Sequence, residues 1–192
     1  MIRPDIASSV RMKKYGIVLM LAAVFLSGAC DKMGLSDDAV SYEPTWAAVY
    51  DYPVSKDDCC GLGLLLVQGR TDDELFSFTS PGAALSLQLC LSSDADLIPE
   101  GVYSSSTDLS CPSILCPPAG SPFKYGTSFV AERLPDSAVT RFYSVTSGLL
   151  KVDIVDRRDG EKVFLIEAAV EVDGRRYKFD YRGPLQDFRD DE

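Results

Sequence analysis

KVFLIEAAVEVDGRRYKFDYRG, residues 162–183, carries the clearest strand pattern in the chain. In an extended chain Phe164, Ile166, Ala168, Val170 and Val172 share one face, while Leu165, Glu167, Ala169, Glu171 and Asp173 share the other. Past Asp173-Gly174, Tyr177, Phe179 and Tyr181 alternate with Lys178, Asp180 and Arg182. Asp-Gly between two alternating runs is the strongest short-range hairpin signal. Upstream, Asp159-Gly160 separates this pair from Leu149–Val155, which Ser147-Gly148 leads into. The expectation is an antiparallel three-stranded meander with one dry face.

Working outward, the same period of two recurs. Trp46, Ala48, Tyr50 and Tyr52 share a face of an expected strand over Thr45–Tyr52, which Pro53 ends. Leu62–Gly69 is an unbroken apolar run and predicts a strand buried on both sides. In Ala84–Leu91 the leucines 85, 87, 89 and 91 face one way, and Ser86, Gln88 and Cys90 the other. A turn at Ile98–Gly101 feeds a short strand, residues 104–122 read as a long Ser-, Pro- and Cys-rich loop, and Phe123–Arg133 and Ala138–Val145 have strand-like composition. No stretch after residue 30 sustains a helical period. The fold class is therefore all-β: a single antiparallel β-sandwich or β-barrel, lipocalin- or calycin-like barrels included, over residues 45–192.

The amino end carries different information. In MKKYGIVLMLAAVFLSGAC, residues 12–30, two lysines precede an uncharged apolar run, and small residues precede a cysteine. That order is a secretory signal peptide. A cysteine directly after the small residues makes it a lipoprotein signal, with Leu26–Cys30 as the lipobox and Cys30 the lipidated residue. Met12 followed by two lysines reads as a better start than Met1. Residues 1–29 are then removed, and 30–44 form an acidic, lipidated tether. Two alternatives stand beside this one: plain secretion with an ordinary Cys30, or a spanning helix, for which about 20 apolar residues are needed. The leucine of this lipobox stands one residue further from the cysteine than usual.

Charge and composition narrow the partners. Beyond residue 29 the chain has 15 basic and 28 acidic residues, a net charge of −13. Long-range repulsion argues against nucleic acid or an anionic lipid surface as partner. A chain of about 160 residues supports one domain with a real core. Six cysteines in an exported chain suggest disulfides. With Cys30 lipidated, Cys59, Cys60, Cys90, Cys111 and Cys116 remain, so at most two bridges form. The favoured pairs are Cys111 with Cys116, in a short proline-stiffened loop, and Cys59 or Cys60 with Cys90.

The order Ile98-Pro99-Glu100-Gly101-Val102-Tyr103, Thr146-Ser147-Gly148 and Tyr181-Arg182-Gly183-Pro184-Leu185 resembles a family of small, uncharacterised surface lipoproteins from Gram-negative gut anaerobes. The resemblance implies a β-domain over about Trp46 to Leu185 and attachment to the outer membrane, on its periplasmic or cell-surface face. It carries over no catalytic residue. The Cys59-Cys60 pair and the insert at 104–122 depart from its pattern.

Candidate chemistry is sparse. The chain has no histidine, which removes Ser-His and Cys-His nucleophile pairs and histidine metal sites. No metal, no cofactor and no catalytic residue is expected. Glu171 and Asp173 stand about 6.8 Å apart on a strand face, a spacing an inverting glycosidase uses, but alternation alone predicts a wet face there. Trp46, Tyr50 and Tyr52 form an aromatic row suited to stacking on a sugar ring, with core packing as the bland alternative. The functional expectation is a non-catalytic binding module for a glycan or an envelope protein, held to the membrane by lipid on Cys30. The alternatives are a carboxylate-based glycan-active enzyme or a purely structural surface protein.

Overall fold

The computed structural model describes residues 38–52, 59–71, 77–92, 97–107, 111–117, 127–157 and 160–189. Cys30, the leader and most of the expected tether lie outside the described residues, as does the side chain of Cys59. All described residues belong to one unit, Asp37–Glu192.

Twelve strands follow in chain order: β1 Val40–Tyr42, β2 Trp46–Asp51, β3 Cys59–Gln68, β4 Gly82–Ser92, β5 Gly101–Ser106, β6 Ser113–Leu115, β7 Phe129–Arg133, β8 Arg141–Ser144, β9 Ser147–Asp156, β10 Lys162–Val172, β11 Arg175–Gly183 and β12 Gln186–Asp187. They form one mixed sheet in the order β1-β11-β10-β9-β5-β6-β4-β3-β2-β12, curled into a half-barrel. The far edge of β4 is shared: β7 pairs with Gly82–Ser86 and β6 with Gln88–Cys90, and β8 extends the β7 branch. A wholly antiparallel sheet was the expectation. The pairs β1–β11, β5–β6 and β12–β2 are parallel instead. Each involves a very short strand, and none of the three pairs is closed by a hairpin that would dictate antiparallel direction.

The quoted hairpin forms as read. β10 and β11 pair antiparallel from Phe164 with Gly183 to Val172 with Arg175, and β9 flanks β10 on its other edge. Asp173 and Gly174 both have positive φ, 48° and 75°, the backbone of a type I′ turn. Asp tolerates the left-handed region and Gly occupies it freely, which is why this dipeptide turns here.

Curling buries the dry faces against each other. Ala47 and Val49 of β2, Leu62, Leu64 and Leu66 of β3, and Leu85, Leu87, Leu89 and Leu91 of β4 join one cluster with Leu150, Val152, Ile166, Val170, Tyr177 and Phe179 of β9, β10 and β11. Strands far apart in the sheet order thus share a core, which fills the concave side with side chains. The convex faces of β3, β4 and β7 carry a second, smaller cluster of Leu65, Val67, Ala84, Phe129 and Ala131, with Phe78. β3 is therefore buried on both faces, as its continuous apolar run requires.

Two expected irregular stretches contain strands. Val40–Tyr42, expected in the tether, is β1 and pairs with β11. Ser113–Leu115, expected inside a loop, is β6, wedged between β4 and β5.

Candidate functional site

The antiparallel ladders give the sheet two ends. The Asp173-Gly174 turn, residues 69–71, 77–81 and 134–140, and the start of β1 lie at the first end. Residues 97–100, 157 and 160–161 and the start of β6 lie at the second.

The second end has a pocket of about 220 Å³, lined by Leu91, Ser92, Pro99–Tyr103, Cys111 and Pro112. Its floor is set by one hydrogen bond. Tyr103 turns inward from β5 and its hydroxyl donates to the Pro99 carbonyl at 2.6 Å, closing the bend that precedes the strand. Burial pushes that hydroxyl up to about 12, so it stays a donor through the neutral range. Val102, on the opposite face of β5, is 60 % exposed. The walls are mainly apolar, with the Glu100 carboxylate and the Ser92 hydroxyl as polar handles. Such a lining fits a small ring or side chain held by contact and oriented by a few polar groups.

Sulfur chemistry borders the pocket. The sulfurs of Cys111 and Cys90 are 2.6 Å apart. Cys116 is a buried free thiol, so the expected Cys111–Cys116 bridge is absent. The reason is β6: an extended strand rises about 3.3 Å per residue, so the chain from Cys111 to Cys116 reaches well beyond the roughly 4.4–6.8 Å a disulfide spans. Burial pushes the Cys116 thiol up to about 11, which leaves it inert. Cys60 is also free. It pairs with Leu91 while Cys90 pairs with Gly61, so the period of two turns Cys60 and Cys90 to opposite faces and excludes that bridge.

A second cluster was not legible in the sequence. Glu132 of β7 lies on the same face as Val130 and points into the core, 4 % exposed. It is the one acid buried among the described residues. The Tyr42 hydroxyl of β1 donates to its carboxylate. Burial, then Glu132, raises the Tyr42 hydroxyl well above its ordinary value. Tyr177 is raised for the same two reasons, with a smaller opposing effect from Arg175. The Tyr42 ring also stacks on Tyr177 and Phe179, at centroid distances of 6.5 and 5.2 Å. This cluster joins β1 to β7 across the core, and is structural. Tyr42→Phe removes the donor to a buried carboxylate and is expected to cost about 2 kcal/mol, read as a lower midpoint in urea unfolding.

The aromatic row of β2 divides. Trp46 and Tyr50 are half-buried against the convex cluster. The Tyr50 ring covers Gly63, where any side-chain carbon would overlap it. Its hydroxyl lies 3.0 Å from Ser86 Oγ and accepts from Gln88 Nε2 at 3.0 Å. Tyr52 is half-buried beyond the cluster. The strand carboxylates lie beside cations and hydroxyls: Glu167 stands opposite Lys151, and Glu171 opposite Arg176, accepting from Ser147 Oγ at 3.3 Å.

No family model matches this chain, and no curated protein or solved structure is similar to it. Function therefore rests on residues alone.

Proposed function

We propose that this chain is a lipid-anchored lipoprotein of the outer membrane, on its periplasmic or cell-surface face, that binds a glycan or an envelope protein without transforming it. The observation that carries the reading is residues 12–30: two lysines, an uncharged apolar run, small residues, then Cys30. Acyl chains on that sulfur hold a protein stably once there are two or more, at about 0.8 kcal/mol per buried methylene. The resemblance to surface lipoproteins of gut anaerobes belongs to the same proposal, as does a disulfide at Cys111 in an oxidising compartment.

The site supports binding over catalysis. The pocket at the second end is mainly apolar, and Glu100 is the one carboxylate in its lining. The buried acid, Glu132, already accepts the Tyr42 hydroxyl. The ligand is expected in the pocket rather than on the β2 row. A glycan-array screen of residues 31–192 tests this with two variants: binding lost in Val102→Asp and kept in Trp46→Ala places the ligand there, and the reverse pattern moves it to β2. For the anchor, cells fed an alkyne fatty acid should label the native chain in the membrane fraction. Cys30→Ala should abolish both label and membrane retention; label that persists would overturn the reading.

A further inference from the structure

We infer that the first end of the sheet, with the hairpin tips 134–140 and 173–176, rests on the phospholipid surface, and that the pocket end points away from it. The inference rests on the lipid anchor proposed at Cys30.

The tether between Cys30 and the fold is short. Nine residues separate Cys30 from Val40, and ten Cα steps reach at most about 35 Å. From Val40 the chain is committed to the fold, since β1 pairs with β11 and Tyr42 is held by Glu132. Val40 lies opposite Tyr177, two residues from Arg175 at the tip of the β10–β11 hairpin. The anchor therefore draws this end toward the bilayer, and ladder direction puts the tip 134–140 at the same end.

That tip presents apolar side chains. Leu134 is 43 % and Val139 is 66 % exposed, the latter the most exposed large apolar side chain among the described residues. The tip is braced: Arg133 Nε donates to the Ser137 carbonyl at 3.0 Å, and the Phe78 amide donates to Thr140 Oγ1 at 3.2 Å. Apolar side chains on a braced loop fit the interfacial layer of a bilayer, where burying them is favourable.

Charge points to the kind of surface. The exposed Arg70, Arg141, Arg175 and Arg176 lie at this end with the exposed Asp38, Glu43, Asp136 and Asp173. The sequence between β3 and β4 adds Asp72, Asp73 and Glu74. Four arginines against seven acids leave −3, so the surface it rests on is expected to be zwitterionic rather than anionic lipid.

The consequence for function is direct. The pocket, with Glu100 and Val102 in its lining, then lies at the end of the sheet turned away from the membrane.

The test is backbone hydrogen exchange on the natively acylated protein in phosphatidylcholine nanodiscs, compared with the soluble Cys30→Ala chain. Exchange at 134–140 and 173–176 is expected to slow about threefold or more on the nanodisc, with 97–102 and 157–161 unchanged. Slowing at 97–102 or 157–161 instead, or at neither end, overturns the orientation. A protein that fails to stay with the nanodisc overturns the anchor itself, an outcome that separates the two claims.

Discussion

Leu87→Ala is expected to cost about 3–5 kcal/mol, a large share of the 5–15 kcal/mol by which domains are usually stable. Leu87 is fully buried in the middle of β4, among residues from both halves of the curled sheet. Removing its outer carbons opens a cavity that no flexible loop can close, because β3 lies on one edge of β4 and β6 and β7 share the other. At about 2–4 °C per kcal/mol for a chain of this size, the thermal midpoint should fall by roughly 10 °C. Ser104→Ala, on the exposed face of β5, should stay within about 0.5 kcal/mol. Calorimetry of both variants checks the contrast, and a small effect at Leu87 would deny that the concave side is the core.

Alkaline pH should drain stability in a defined window. Burial raises the hydroxyls of Tyr42, Tyr103, Tyr177 and Tyr181, Tyr103 to about 12, and the thiol of Cys116 to about 11. Each group is held neutral in the fold and ionises more easily in the unfolded chain, near 10 for tyrosine and near 9 for the cysteine. Their contribution is therefore whole below about pH 9 and is lost as pH rises toward 12. Tyr103 and Cys116 each account for about 2–3 kcal/mol at the upper limit, since one unit corresponds to about 1.4 kcal/mol. The surface ion pairs Lys151–Asp153 and Lys178–Asp180 add little to this slope. Urea midpoints measured from pH 8 to 12, with tyrosinate absorbance followed in parallel, should fall steeply from about pH 9.5. A flat profile, or tyrosines that all titrate near 10 in the folded protein, would contradict the burial described for these side chains.

Local chemistry made much of the fold readable. The Asp173-Gly174 turn and the alternation on either side gave the β9–β10–β11 meander its bounds nearly to the residue. The leucine row of β4 and the two-sided burial of β3 followed from period and composition. What escaped was non-local. Val40–Tyr42 has no pattern of its own and becomes a strand only because β11 offers an edge and Glu132 a carboxylate. Ile114 and Leu115 are two apolar residues among serines, prolines and cysteines, too short a signal to read until β4 and β5 flank them. Glu132 was hidden by its charge, which marks a residue as exposed. The one clue was its place two residues after Val130, on what proves to be the inward face.

The sites divide in the same way. Of the residues singled out in sequence, Trp46 and Tyr50 lean on the convex cluster, and the cysteines meet in a combination that spacing did not favour. The pocket draws on β4, β5 and the start of β6, three segments that no motif connects. Yet the element Ile98–Tyr103 was visible from the outset, and it supplies most of the pocket wall.

Everything proposed for the protein's location depends on Cys30 being acylated and beginning the mature chain. Intact mass spectrometry of the polypeptide purified from native membranes tests it most directly. The predicted result is a mass for residues 30–192 plus the added lipid, with a lipid-bearing amino-terminal peptide after digestion. A bare thiol at Cys30, or a chain that still carries residues 12–29, would contradict the claim.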